Sequence, residues 1–466
     1  MQELHWARGD TQVVVTAALA GMACALPGNW LVLRRQSMMG DALSHTSLLG
    51  VVGAFLLAYA ARSAGWVGEA AFDGVLVLSM YAGAIAVGVL TAVLTEWIRS
   101  LGRVESSAAL GVVYTSLFAL GLLLVRLMAN DTHLDLNCVL FGRLETIPLE
   151  SIGQTLPRVA WIAGISLVIN LVLVVLLFKE LRLSAFDPAL ATTVGISARV
   201  MHYGLMTITA GTIIAVFESV GSILVIAMLI TPAATASLLT RRLGVMIVLS
   251  LLLAVVAAFA GHFAALTLPS LVMRAIGGPE VESAGTAGMI AVAGGGLFLA
   301  AVLLAPGEGV LPRLWDRLQL RIRIETEDLL GWLYRREEAG RGIPLSASVS
   351  ESWPDPAASP FERLLSRAGE RRAISAGLVQ RTGKELQLTD AGRKTAEELV
   401  RSHRLWESYM AAHFPLPEDH LHETAARVEH YLGPDLRDEL SQELSLPDED
   451  PHGRPIPGEG RIENRE

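Results

Sequence analysis

Between residues 13 and 305 apolar side chains run in blocks separated by short polar stretches, and most blocks match the roughly 20 apolar residues that a membrane-crossing helix needs. The blocks cover residues 13–33, 45–61, 75–97, 108–127, 159–178, 201–217, 220–239, 245–268 and 284–305. The pattern predicts nine spans, or eight if the first or a short one is not a crossing. Basic residues gather at Arg34 and Arg35, Arg99 and Arg103, Lys179 and Arg182, and Arg241 and Arg242, each time after an odd-numbered block. Lys and Arg are retained on the cytoplasmic side. This bias places the N-terminus outside and the C-terminus inside, with an eight-span chain and an internal N-terminus left open. Small residues such as Gly83, Gly88 and Gly294 to Gly296 recur inside the blocks, as close helix packing in lipid prefers.

Past residue 313 the pattern changes. Residues 325–338 read as an amphipathic helix with Leu329, Leu330, Leu333 and Tyr334 on one side, and 342–360 as a Ser- and Pro-rich loop. Residues 360–376 read as a helix, 378–388 as a hairpin turning at Thr382-Gly383-Lys384, and 389–414 as a long helix capped by Thr389 or Asp390. Helix, helix, two-stranded wing, helix is the order of a winged helix. The expected fold is an all-α polytopic membrane domain of eight to nine transmembrane helices over residues 1–310, followed by a soluble α+β domain over 311–466. That domain divides into a winged-helix part at about 320–395 and a helical part at about 396–457.

Composition sharpens this division. The averages of 52% hydrophobic and 18% charged residues with a net charge of −9 describe neither half, so they support two units rather than one. Cys24 and Cys138 cannot build a disulfide framework and sit in no thiolate metal motif, which leaves them as packing residues. No cleavable signal peptide is apparent, because the first apolar block follows only Arg8 and leads into further spans. No Gly-x-x-x-x-Gly-Lys-Ser/Thr phosphate loop occurs, so the chain is not expected to hydrolyse ATP.

The chemistry concentrates between the first two spans. Asp41 and His45 stand at the junction of two long apolar runs, where an unpaired charge is costly and therefore usually functional. In a helix, positions i, i+3 and i+4 share a face, so Asp41, Ser44 and His45 point the same way. One carboxylate and one imidazole make half a metal site. A second copy across a two-fold axis completes four mixed O and N ligands, suited to manganese, iron or zinc. Glu218 falls at the predicted turn between spans six and seven. His202 and His262 are lone imidazoles read as hydrogen-bonded packing residues, and Glu96 and Arg126 lie near span ends where they can reach water. Asp131, His133 and Asp135 alternate in an external segment and point together only if that segment is extended. Residues 179–196 form an amphipathic cytoplasmic segment in which Asp187 caps a helix with Pro188 at its first position.

Residues 31–50, 109–124, Phe141-Gly-Arg-Leu, 179–195 and 220–243 resemble the permease subunits of zinc, manganese and iron ABC importers. The likeness covers about residues 12–305. It implies a dimeric membrane core of two copies or of two related permeases, a cytoplasmic ATPase pair and an extracytoplasmic metal-binding protein. It places the metal-coordinating pair of the Gly-Asp-Ala-Leu-Ser-His motif on Asp41 and His45. The ATPase-coupling helix falls on residues 186–195, including Phe186, Asp187, Pro188, Leu190 and Gly195.

The soluble half resembles a second family, the iron- and manganese-dependent repressors of the diphtheria-toxin-repressor type. The likeness is carried by Gly377-Leu-Val-Gln, Leu386 to Arg393, Ser402-His-Arg-Leu-Trp-Glu407, His422-Glu, Val428-Glu-His-Tyr-Leu432 and Pro451-His-Gly-Arg-Pro-Ile-Pro457. It implies ancillary metal ligands at His403, Glu407 and His422, a primary Glu-His pair at Glu429 and His430, and a first-helix ligand at Asp328. Ala426 stands where that family has a Cys or Glu ligand, and Gly331 replaces a carboxylate of its manganese members, so the primary site is expected to be incomplete.

Between Arg363 and Arg404 ten basic residues face five acidic ones, which could serve phosphates. Acidic residues nevertheless outnumber basic ones from Asp316 onward, and a membrane tether hinders operator binding, so DNA is not an expected partner. The reading is a multi-pass permease in a prokaryotic inner membrane, carrying Mn2+, Fe2+ or Zn2+ as cargo and holding no permanent cofactor. A cytoplasmic domain senses Mn2+ or Fe2+ and tilts the cargo toward those ions. Two alternatives are a membrane-anchored, metal-responsive DNA-binding regulator and a secondary transporter that needs no ATPase.

Overall fold

The computed structural model describes residues 6, 8–66, 68–128, 142, 144–147, 156–277, 284–340, 353, 359–383, 385–415, 417–445 and 447–458. The chain divides into two compact units, residues 1–312 and 313–466.

Among the described residues the first unit is helical throughout. Its elements are α1 (Arg8–Leu33), α2 (Met38–Ser63), α3 (Glu69–Gly102), α4 (Ser106–Met128), α5 (Arg158–Leu176), the short α6 (Phe178–Phe186) and α7 (Pro188–Thr193), α8 (Ala198–Leu239), α9 (Leu243–Ile276) and α10 (Thr286–Leu304). Nine stretches of these helices are long and apolar enough to cross a membrane, two of them on α8. With 42 residues α8 would run about 63 Å if straight, twice a bilayer core. It breaks instead at Gly221, whose φ of 78° and ψ of 163° are outside the helical region and open to glycine at no steric cost. The sixth and seventh spans therefore meet at Gly221, three residues past Glu218, whose own backbone is still helical; the Glu218 side chain is outside the described residues.

The bent helix is the hub. It packs on α1, α2, α3, α5, α9 and α10 and contributes Leu205, Met206, Ile213, Val216, Leu224, Val225 and Leu229 to the core. Close approach depends on missing side chains: α2 and α3 meet at Gly50 and Gly83, where a Cβ on Gly83 would stand 2.5 Å from the Gly50 carbonyl oxygen. Two buried asparagines tie helices of the bundle together, as side-chain amides do in lipid surroundings. Asn29 Nδ2 donates to Ala25 O at 2.7 Å and to Ser250 Oγ at 2.8 Å. Asn170 Nδ2 donates to Ala23 O at 2.9 Å and to Thr212 Oγ1 at 2.8 Å.

The second unit begins within α11 (Val310–Gly340) and continues through α12 (Pro360–Ser375), β1 (Val379–Thr382), β2 (Glu385–Leu388), α13 (Asp390–His413), α14 (Glu418–Val428), a 3-10 turn (Glu429–Tyr431) and α15 (Pro434–Glu443). Leu329, Leu330 and Leu333 of α11 are buried against Ala373, Val379, Leu388 and Ala396, as the helical spacing of those leucines predicts. The strands pair antiparallel with Val379 opposite Leu388 and Thr382 opposite Glu385, and Gly383 takes the tight turn at φ 65°. A capping box starts α12: Ser359 Oγ accepts from Glu362 N, and Glu362 Oε2 accepts from Ser359 N at 2.7 Å. Of the two expected caps of α13, Thr389 is the one used, its hydroxyl oxygen accepting from Gly392 N at 3.1 Å. Most of the 342–360 loop lies outside the described residues.

Candidate metal sites

The first site is built on an elbow. Helix α1 ends with Gln36 N donating to Leu31 O and Arg35 N to Val32 O, the paired bonds of a Schellman cap. The left-handed residue is Arg35 at φ 57° rather than a glycine, which costs on the order of 1 kcal/mol. Three residues later α2 begins, and Asp41 sits in its first turn, where the helix dipole favours a carboxylate. His45 follows one turn on, with Nε2 3.3 Å from Asp41 Oδ1. Both side chains are partly open, at 38% and 29% exposure, and the imidazole lies against Tyr114 and Phe118 of α4, with centroids 6.4 and 5.1 Å away. Ser44 does not join them. It is buried and its hydroxyl donates back to Asp41 O at 2.8 Å, because a serine inside a helix satisfies itself on the preceding turn. The chain alone thus brings together one carboxylate oxygen and one imidazole nitrogen.

The segment expected to couple to an ATPase, residues 186–195, is short and exposes several apolar side chains. Phe186 ends α6, Asp187 Oδ1 accepts from Leu190 N at 2.9 Å, Pro188 opens α7, and Gly195 leaves it at φ 92°. Phe186, Leu190 and Val194 are exposed. Elsewhere in this unit His262 is buried, with Nε2 3.2 Å from Asp10 Oδ1 and Nδ1 3.4 Å from Thr286 Oγ1, which bears out its reading as a packing residue. His202 lies against Tyr203, Glu96 accepts from Arg99 at 2.6 Å, Arg126 is exposed and Cys24 is buried. Cys138, Asp131, His133 and Asp135 lie outside the described residues.

The second site lies in the C-terminal unit. The amphipathic α13 places His403 and Glu407 one turn apart and buried, with His403 Nε2 3.0 Å from Glu407 Oε1. His422 of α14 closes on the same carboxylate and stands 3.2 Å from His403 Nε2. Behind them His403 Nδ1 lies 2.5 Å from Glu429 Oε2. A donor atom from each of His403, Glu407 and His422 falls within 4.8 Å of the others. The tail adds Asp450 and His452 to Glu407 in a second such group, with the His452 ring stacked on His422 at 4.7 Å. A third group joins Asp328 of α11 to Glu429 and His430, with His430 Nε2 3.3 Å from Asp328 Oδ1 and Nδ1 2.8 Å from Glu327 Oε2. All six residues expected from the sequence are therefore gathered. Glu327, Asp450 and His452 were missed as site residues, although His452 lies in the Pro451–Pro457 motif. A Cβ at Gly331 would stand 3.3 Å from the Leu399 side chain.

The electrostatics of the two groups differ. Burial pushes the Glu407 carboxyl up, but hydrogen bonds from His403 and His422 outweigh it and hold it well below the ordinary value. His403 loses charge stability by burial and regains more from Glu407 and Glu429, so its pKa rises. For His430 burial is again overcome, here by Asp328 and Glu327, and the imidazole is pushed up to about 10. Asp450 Oδ2 and His452 Nδ1 are buried without a hydrogen-bond partner among the described residues, and His452 Nδ1 faces Glu407 Oε2 at 3.8 Å. Buried donors that converge on one carboxylate suit a shared cation, and imidazole with carboxylate suits manganese, iron or zinc.

A family model described as the ABC 3 transport family matches residues 11–272, more than half of the chain. The chain belongs to the ABC 3 transport family. A second model, the metal binding and dimerisation domain of iron dependent repressors, matches residues 389–458 and so contains His403, Glu407, His422, Glu429, His430, Asp450 and His452. Among relatives of this ABC 3 chain, the manganese transport system membrane protein MntD of Bacillus subtilis is 37% identical over 67% of this chain and 97% of its own length. The zinc transport system membrane protein TroD of Treponema pallidum is 34% identical over 83% of this chain and 97% of its own. That share exceeds the 312 residues of the first unit, so the likeness runs into the second. The solved structure of PsaBC from Streptococcus pneumoniae in complex with Fab covers 68% of this chain and 96% of its own at 26% identity, with a TM-score of 0.50.

Proposed function

We propose that this ABC 3 chain is the permease subunit of an ATP-driven importer of manganese, iron or zinc, and that its C-terminal domain is cytoplasmic and senses the same class of ion. The observation that carries the reading is the Asp41–His45 pair, 3.3 Å apart at the first turns of α2 in a chain whose family is that of transport permeases. A binding protein delivers the ion outside, and a second protomer, identical or related, completes the coordination. A separate ATPase, docked on the exposed apolar side chains of Phe186, Leu190 and Val194, switches access to the pair. Asp328, His403, Glu407, His422, Glu429 and His430 hold the regulatory ion, which in the related repressors is manganese or iron. Relatives named as transport proteins also weigh against spans that serve only as an anchor for a DNA-binding regulator.

The test is uptake. Asp41→Asn keeps the size of the side chain and removes the charge that neutralises a divalent ion, so metal accumulation is lost while the amount of assembled protein is unchanged. Normal accumulation in that variant overturns the reading.

A further inference from the structure

On the permease reading, on which this rests, something must carry motion from the ATPase-facing α7 to the elbow that holds Asp41. We propose that Arg34 is the positioning residue that does so, through its hydrogen bond to Ser184. Arg34 is the last residue before the left-handed Arg35, seven positions before Asp41, and its Nη2 donates to Ser184 Oγ at 2.8 Å. Ser184 is buried on α6, two residues before Phe186, and Asp187 between α6 and α7 belongs to both as the cap of each. Helix α6 leads through the shared cap Asp187 into the coupling segment at one end and packs on the end of α1 at the other, where Trp30 meets Phe178 edge-on at 6.2 Å. Arg34–Ser184 is the one side-chain hydrogen bond among the described residues that ties the elbow to this segment.

A second observation falls on the same two stretches. Arg34 Nε, Gln36 Oε1 and Glu180 Oε2 are buried without a hydrogen-bond partner among the described residues. Glu180 precedes Ser184 by one helical turn and so shares its face, and Gln36 is next to Arg35 in the elbow. Buried polar groups left unmet are costly, and an interface that alternates between two arrangements is where such groups persist: each arrangement satisfies a different set. Arg34 keeps hold of α6 in the arrangement seen here. When α7 shifts with the ATPase, the guanidinium, with its further free N–H at Nε, moves the elbow and with it the carboxylate of Asp41, the fourth residue of the next helix.

The test uses the full chain assembled with its ATPase partner in proteoliposomes, with manganese uptake and ATP hydrolysis measured in the same vesicles. Arg34→Gln and Ser184→Ala each lower the metal carried per ATP by about tenfold, the scale of one charge-assisted hydrogen bond, while ATP hydrolysis stays near the wild-type rate. The double variant is no worse than either single one, and Arg34→Lys, which keeps the donor charge, recovers part of the coupling. Unchanged metal per ATP in both single variants overturns the proposal, as does a proportional loss of both activities, which is the mark of a structural role. If the wild-type complex carries no metal when it hydrolyses ATP, the permease reading itself falls; if it does and the variants couple normally, only the role of Arg34 falls.

Discussion

Replacing Glu407 by Gln probes the sensing centre most directly. The carboxylate is fully buried and is approached by His403, His422 and, at 3.8 Å, His452, so it is the oxygen donor common to two of the three ligand groups. A metal that binds only the folded chain stabilises it by RT ln(1 + [L]/Kd), about 2.7 kcal/mol when the free ion stands at 100 times Kd. Losing a charged ligand at the centre of the cluster weakens binding about 100-fold or more, taking the orienting-group losses of 10–100-fold as the lower scale. At the same ion concentration the variant then gains RT ln 2, about 0.4 kcal/mol. The C-terminal unit spans residues 313–466, and for a unit of that size 1 kcal/mol moves Tm by roughly 2–4 °C. Manganese at that concentration therefore raises the Tm of this unit by about 5–11 °C in the wild type and about 1–2 °C in Glu407→Gln. The assay is thermal unfolding of the full chain in detergent with and without manganese, read from a tryptophan signal such as that of Trp406, whose neighbour is Glu407. A full metal-induced shift in the variant refutes the assignment of Glu407 as a ligand.

His430 gives a pH dependence. Its folded pKa is raised to about 10 from an ordinary 6.5, so in the metal-free chain its ion pairs stabilise in full below about pH 6.5 and fade as the pH rises toward 10; an identical decline in Tm for His430→Gln over that range refutes the pairing. Because the imidazole must shed its proton to bind an ion, manganese binding near neutral pH releases protons, which titration calorimetry in buffers of different ionisation enthalpy detects. Gly83→Val places a branched side chain against the Gly50 backbone, so α2 and α3 must part and the yield of folded membrane unit falls sharply; wild-type yield and Tm would show that the helices do not meet there. Thr389→Ala removes the cap of α13 and its hydroxyl bond to Gly377 O at 2.7 Å, costing about 1–2 kcal/mol, seen as a lower unfolding temperature of the C-terminal unit with no change in the manganese-induced increment.

Which features were readable from the chain follows from sequence distance. The spans announce themselves because lipid demands a run of apolar residues whatever the neighbours are, and the pairs Asp41–His45 and His403–Glu407 are visible because a helix turns i and i+4 to one side. Leu329, Leu330 and Leu333 found their core for the same reason. Periodicity is silent about partners brought together by folding. Asp10 meets His262 across 252 positions, and the imidazole of a lone histidine carries no sign of that carboxylate. Asp450 and His452 reach Glu407 only because the tail folds back over α13, where Arg401 Nη1 donates to Pro457 O at 2.9 Å. The break between the sixth and seventh spans falls at Gly221, three residues past Glu218, a position the pattern does not mark because a single glycine, unlike a polar loop, does not interrupt the hydropathy.

The two metal sites differ in the way their proposed tasks require. A cargo site has to release what it binds, so its ligands should be few and reachable. Asp41 and His45 supply two donors, both about one-third exposed, and depend on another subunit for the rest. A sensor has to hold its ion long enough to bias a conformational equilibrium, so its ligands should be numerous, oriented and withdrawn from water. His403, Glu407 and Glu429 are each less than 10% exposed, and the outer carboxylate of Glu327 holds Nδ1 of His430 at 2.8 Å while Nε2 faces Asp328, the arrangement that raises ligand basicity and sets ring orientation. The ion that fills the sensor is therefore expected to dissociate more slowly than the ion that passes Asp41. If manganese left both sites at equal rates in a competition experiment, the division into cargo and sensor would lose its physical basis.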